Sequence, residues 1–159
     1  MTHHLMIALD GSEESLEAVR LAINLIHGGL KADVALVQVQ EPASLLQLAT
    51  RDADDIAAAA VEAGEHLMAD GMALLDAQGI GYTTEVVLGE PATMLIDMAE
   101  ELDADWVLIG ARGVGAVESV LVGSVSKAVI SRCTRPVLVA KKRNSTDADF
   151  ETEGVDASE

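Results

Sequence analysis

Two hydrophobic periods alternate along this chain, and that alternation limits the possible folds more than any other feature. Short apolar runs of buried-strand type trade places with longer stretches whose apolar residues recur every three to four positions. Leu5-Met6-Ile7-Ala8-Leu9 predicts a first strand, ending at Asp10-Gly11-Ser12. Ser12 suits a helix N-cap, and Glu13 and Glu14 suit the positive end of that helix. Leu16, Val19, Ile23 and Ile26 then mark one helical face, and Gly28-Gly29 stops it. Residues 34–39 predict the second strand. After a loop holding Pro42, a long helix is expected over about 52–78, with Ile56, Ala60, Ala63, Leu67, Gly71 and Leu74 as its inner stripe. Gly64 and Gly71 each cost this helix about 1 kcal/mol relative to Ala, which close packing on a sheet, or a kink, would explain.

Residues 82–88 predict a third strand. Glu90-Pro91 opens the next helix with Pro at its favoured first position, and Ala92, Leu95, Ile96, Ala99 and Leu102 form its inner face. Trp106-Val107-Leu108-Ile109 is the fourth strand. Gly123-Ser124-Val125-Ser126 starts a last helix with Val125, Ala128 and Val129 inward, and residues 136–140 form the fifth strand. Pro136 at its start fits an edge position. Strict alternation of five strands and four helices implies right-handed crossovers and a parallel sheet covered on both faces, a single-domain three-layer α/β sandwich. Trp106, Tyr82 and Phe150 are the only aromatic residues, so the core must be aliphatic, as in parallel sheets buried on both sides. Ligands of such sheets sit beyond the carboxyl ends of the strands where strand order reverses, which directs attention to Asp10, to residues 39–41, and to Gly110 onward.

The domain is expected to span residues 1–143. Residues 144–159 carry six acids and no Lys or Arg and lack apolar period, so they read as an acidic, disordered tail. The formal net charge is −17, and removing those six acids leaves −11. Such a balance argues against nucleic-acid partners, whose binding rests on phosphate neutralisation, and against anionic membranes. It reads as a solubilising surface, with adaptation to high salt as the sharper alternative. Cys133 is the sole cysteine, so no internal disulfide is expected. The first residues do not resemble a signal peptide, and no apolar stretch approaches the ~20 residues of a membrane span, so the cytoplasm is the expected compartment. His3 and His4 lack partners at metal-ligand spacing.

The chemistry is concentrated in one stretch: Gly110-Ala111-Arg112-Gly113, nine residues, then Gly123-Ser124. Gly110 and Gly113 allow tight turning and close approach of backbone to a ligand. At residues 123–126 a helix begins, so its first amides point outward and, with the helix dipole, suit phosphate. The hydroxyls of Ser124 and Ser126 add possible donors, and Arg112 and Lys127 supply local positive charge. Taken alone, Gly-x-x-Gly is a weak signal that a plain strand-to-helix turn explains better; its place after a strand and before a helix strengthens it. No Walker loop is present, and Asp10-Gly11-Ser12 after the first strand rules against a Rossmann dinucleotide fingerprint.

The combination resembles the universal stress protein family. Gly-x-x-Gly, nine residues, Gly-Ser, then Val-Ser and a Pro-Val-Leu-Val strand carry the resemblance. So do the first-strand ending Ala8-Leu9-Asp10-Gly11-Ser12, Gly89-Glu90-Pro91, and Asp103-Ala104-Asp105 leading into the fourth strand. It covers about residues 3–142. It implies a Rossmann-like, adenine nucleotide alpha hydrolase-like sheet of order 3-2-1-4-5, a homodimer through the last strand, and ATP (or AMP or ADP) as ligand, with Mg as a candidate metal. Carried over, Ala8, Leu9 and Asp10 would flank the adenosine, Asp10 toward the ribose or a bridging metal. Val39 would hold the adenine edge, Ile109, Gly110, Arg112 and Gly113 the ribose and phosphates, and Gly123, Ser124, Val125 and Ser126 the phosphates. Many relatives carry Gly-Ser-His-Gly where this chain has Gly110-Ala111-Arg112-Gly113.

Three functions stand open on this reading. The first is a nucleotide-binding stress-response regulator. The second is a slow ATPase, for which Asp10 is the available carboxylate and no separate base is evident. The third is a dimeric interaction module with no ligand. An ATP-pyrophosphatase-type ligase fits less well, because acids follow the first strand where a phosphate loop would be needed.

Overall fold

The computed structural model describes residues 1–42, 52–112 and 122–142. Five strands form one parallel sheet: β1 (His3–Ala8), β2 (Ala32–Gln40), β3 (Tyr82–Leu88), β4 (Trp106–Gly110) and β5 (Val137–Ala140), in the order β3-β2-β1-β4-β5. Four helices are present among the described residues: α1 (Glu13–His27), α2 (Ala53–Ala77), α3 (Pro91–Glu101) and α4 (Ser124–Arg132). The expected three-layer α/β architecture and strand order are thus observed. Gly113 and the acidic residues 144–159 lie outside the described residues.

Because side chains alternate along a strand, each strand feeds two cores. Leu5 and Ile7 of β1, Val34 and Leu36 of β2 and Leu108 of β4 face α1 and α2. Met6, Val37, Val107 and Ile109 face the other way, against α3 and α4. Residues of both sets on the central strands are almost completely buried, as a sheet covered on both faces requires. Tyr82 and Trp106 sit only at the margin of the first core, so its interior is aliphatic with Met68 among its fillers.

Local sequence sets the helix ends. Ser12 caps α1 by accepting the Ser15 amide at 3.1 Å. Gly28 and then Gly29, at φ +106°, close it. Glu90 caps α3, accepting the amides of Ala92 and Thr93 at 3.2 and 2.7 Å ahead of Pro91. Along α2 the expected stripe needs correction: Ala63 is exposed, and Gly64, Met68, Gly71 and Leu75 are the buried positions. The sequence is so rich in Ala and other small residues there that several faces look alike, and sheet shape chooses among them. A Cβ on Gly64 would come within 2.6 Å of Val86, and one on Gly71 within 2.7 Å of Leu9, so both glycines serve close helix–sheet packing. On α3, Met98 is fully inward while Ile96 is half-buried.

Chain direction now fixes the site. α1 leaves β1 and crosses one face toward β2; α4 leaves β4 and crosses the opposite face toward β5. Between the carboxyl ends of β1 and β4 the two connections part, opening the crevice expected at a reversal of strand order. Strand lengths deepen it. Pairing of β1 with β2 stops at Ala8 opposite Val37, whereas β2 runs on beside β3 to Gln40 opposite Leu88. The centre of the sheet is therefore notched, with β2 standing proud.

Candidate functional site

A cavity of about 770 Å³ fills this notch. Ala8, Leu9 and Asp10 form its floor where β1 ends; Val39, with Gln38, Gln40 and Glu41, forms the β2 wall. Ile109, Gly110 and Arg112 contribute the end of β4, and Gly123, Ser124, Val125 and Ser126 the start of α4. Every sequence-expected site residue among the described ones thus lines one cleft. Gly113 is the exception, lying outside them.

The phosphate-suited feature is the mouth of α4. Its first intrahelical bond runs from the Lys127 amide to the Gly123 carbonyl at 2.9 Å, so the amides of Ser124, Val125 and Ser126 lie ahead of it. Gly123 has no side chain to cap them, and among the described residues no side-chain cap is present. Three bonds fix this mouth to the sheet. The Gly123 amide donates to Ala111 O at 2.7 Å, the Ala111 amide to Ala140 O at 2.8 Å, and the Ser126 hydroxyl to Gly110 O at 2.8 Å. The last bond corrects one expectation: Ser126 is buried and spends its proton on the protein, so toward an anion it can offer its backbone N–H, not its hydroxyl. Ser124 is exposed.

Gly110 also has a different role from the one its motif suggests. A Cβ there would meet backbone atoms of Glu14 at 2.6 Å and the Ser15 amide nitrogen at 2.9 Å. Its missing side chain lets the end of β4 seat against the first turn of α1. Asp10 is held by the turn it begins: its Oδ1 accepts the Ser12 amide at 2.9 Å and the Ser12 hydroxyl at 2.5 Å. Ser15, buried in the same wall, donates its hydroxyl to Ser12 O at 2.8 Å. Arg112 pairs with Glu14 in the first turn of α1, Nη2 to Oε1 at 3.2 Å.

Sequence reasoning did not find Gln38. It is nearly fully buried, donates to Val39 O at 2.9 Å, and accepts from Gln40 Nε2 at 2.9 Å. A buried carboxamide must satisfy both its ends, and here both partners lie on the overhanging end of its own strand. The signal available beforehand was a pair of glutamines breaking an otherwise aliphatic strand. Elsewhere, His3 stacks on Trp106 with ring centroids 5.2 Å apart, at the opposite edge of the sheet. Among the described residues no three His, Cys, Asp or Glu side chains cluster as metal ligands. Cys133 is half-buried against the second core. No described helix is long and apolar enough to cross a membrane.

The universal stress protein family model matches residues 1–141. The chain belongs to the universal stress protein family. It is 30% identical over 139 residues to universal stress protein MJ0531 of Methanocaldococcus jannaschii, covering 87% of this chain and 81% of that one. In fold it is similar to the solved structure of protein MJ0577, a universal stress protein of the same archaeon. The TM-score is 0.75 at 22% identity, covering 90% and 98% of the two chains. It is also similar to a universal stress protein family member of Arabidopsis thaliana solved with AMP bound (TM-score 0.64, 17% identity, 94% and 97% covered). Other family structures of similar fold were solved in complex with dAMP and with cAMP.

Proposed function

We propose that this universal stress protein binds an adenine nucleotide, ATP foremost, in the cleft between β1 and β4, and acts as a nucleotide-responsive regulator in the cytoplasm. The observation that carries the reading is the α4 mouth: three amides ahead of the first helical bond, capped by a glycine, facing a cavity of nucleotide size. Relatives solved with AMP, dAMP or cAMP support the choice of adenine. In this reading Leu9 and Val39 flank the base. Ile109 and Gly110 line the ribose. The amides of Ser124, Val125 and Ser126 hold phosphate, with Arg112 and Lys127 beside them. Gly113 is proposed to join the phosphate contacts. A magnesium ion would arrive with the nucleotide, with Asp10 as the protein's contribution.

Dimerisation through β5 completes the proposal. That strand ends the sheet, its Val137, Leu138 and Val139 are half-exposed, and Ile130 on the adjoining α4 is 45% exposed. An open apolar edge of this kind invites strand pairing.

Equilibrium dialysis with labelled ATP tests the site, comparing the native chain with a Gly123→Val, Ser124→Ala double variant. Loss of binding in the variant alone is the expected result; equal binding by both refutes the assignment. An unchanged melting temperature at millimolar ATP would favour the ligand-free interaction module, because a ligand of the folded state must stabilise it. Phosphate release above background during ATP binding would establish the slow ATPase instead.

A further inference from the structure

Arg112, which lines the cleft, is held in an ion pair that nucleotide binding alone does not account for. We propose that Glu14 sets how strongly this protein discriminates among nucleotides by phosphate number, by competing with phosphate for the Arg112 guanidinium. The inference rests on the adenine-nucleotide reading above and names a control within the same site.

Arg112 and Glu14 come from distant parts of the sequence and meet at 3.2 Å, with side chains only 26% and 22% exposed. Their backbones are fixed independently of that contact. Gly110 seats the end of β4 against the backbone of Glu14 and Ser15. Gly110 and Ala111 are bonded to Ser126 and Gly123 at the α4 mouth. Arg112 thus lines the same cavity as the α4 mouth, while its guanidinium is drawn to the first turn of α1. One partner of that guanidinium is the protein's own Glu14 carboxylate. Glu14 gains further from its place in the first turn, where the helix dipole favours negative charge. A pair so far withdrawn from water couples more strongly than one on the surface.

Phosphate at the α4 mouth must share Arg112 with Glu14 or take it away. A single phosphate can be held by the helix amides alone. A longer polyphosphate extends beyond them and needs the guanidinium, whose planar fork binds phosphate and carboxylate alike. Glu14 thus penalises ATP more than AMP and leaves adenosine indifferent. The competing interpretation is a structural staple between β4 and α1. A staple would affect stability, and would affect all adenosine ligands equally.

The test is calorimetric titration of the full chain with adenosine, AMP and ATP in EDTA and 0.5 M NaCl, where repulsion through water is largely screened. Four proteins are compared: native, Glu14→Gln, Arg112→Gln and the double variant. Glu14→Gln should tighten ATP binding about tenfold, move AMP less, and leave adenosine within about twofold. With Arg112→Gln in place, adding Glu14→Gln should bring no further gain for ATP. Glu14→Ala, measured beside it, should show the same ranking even if Gln retains a hydrogen bond to Arg112. Equal shifts for adenosine and ATP, no shift for ATP, or a gain that survives Arg112→Gln would each overturn the proposal while native nucleotide binding stands. Failure of the native chain to bind any of the three, with ATP titrated also with magnesium in place of EDTA, would sink both readings.

Discussion

Helices α3 and α4 lie side by side on one face of the sheet and both begin at its carboxyl edge, yet their first turns are finished in opposite ways. Glu90 closes the mouth of α3 with its own carboxylate, taking two amides and leaving the turn satisfied. Glycine opens α4, the buried hydroxyl of Ser126 is directed back to Gly110, and the helix's amides face a cavity. The contrast separates two uses of one physical property. Every helix N-terminus attracts negative charge. Where the chain supplies that charge itself, the end is structural; where it withholds it, the end is available to a ligand.

Gly110→Ala strikes at the support of the open mouth and should have the largest effect. The new methyl group meets backbone, not a yielding side chain, so α1 must move. A loss of about 3 kcal/mol in urea unfolding is expected, and a loss near zero would show that α1 is not seated on this glycine. Next, Gly123→Asp would turn the α4 mouth into a copy of the α3 mouth. The backbone there, at φ −70°, accepts any residue. Nucleotide affinity should fall about thirtyfold, near 2 kcal/mol, while the melting temperature holds or rises. Dialysis and thermal melts on the same sample check both halves, and undiminished affinity would erase the distinction between the two helix ends.

Ser126→Ala removes the donor to Gly110 O in a buried setting, and about 1.5 kcal/mol of stability should go with it. Adenosine affinity should change little if that hydroxyl faces the protein and not the ligand. The smallest effect belongs to Glu90→Gln, which weakens an exposed cap. A melting-temperature drop of about 2–4 °C is expected at neutral pH. Its hydrogen bonds with Thr93, side chain and backbone, hold the Glu90 carboxyl below the ordinary carboxylate range. A depressed folded-state value means the unfolded chain binds the proton first. The contribution is therefore complete above the ordinary value and disappears as pH falls through the depressed one. Melts from pH 7 to pH 3 should show native and variant converging on the acid side, and a constant gap would discount the carboxylate.

Much of this molecule was legible before its structure. Ser12, Pro91 and Gly28-Gly29 each specify a helix end through local bonding, and those ends fell where expected. On α2, Gly71 lies inward as expected, but Ala63 is exposed, and Gly64, Met68 and Leu75 are buried beside the expected Ala63, Leu67 and Leu74. Ala and Gly offer no strong contrast between faces, so packing against Val86 and Leu9 decided it. Within the cleft, the Gly-Ser motif located the α4 mouth, since helix-start geometry is local. Gln38 escaped notice because its significance depends on β2 outrunning β1, a matter of register between strands.

By itself, then, the sequence determined which segments become strands and helices, that the sheet is parallel, and where the amides of a helix are left uncapped. These follow from interactions spanning a few residues or from hydrophobic period. Only the tertiary structure decided that Gly110 serves α1, that Ser126 bonds inward, and that Arg112 faces Glu14. Each of those depends on segments far apart in the chain being pressed together by the burial of two aliphatic cores, and no local rule encodes which atoms then meet.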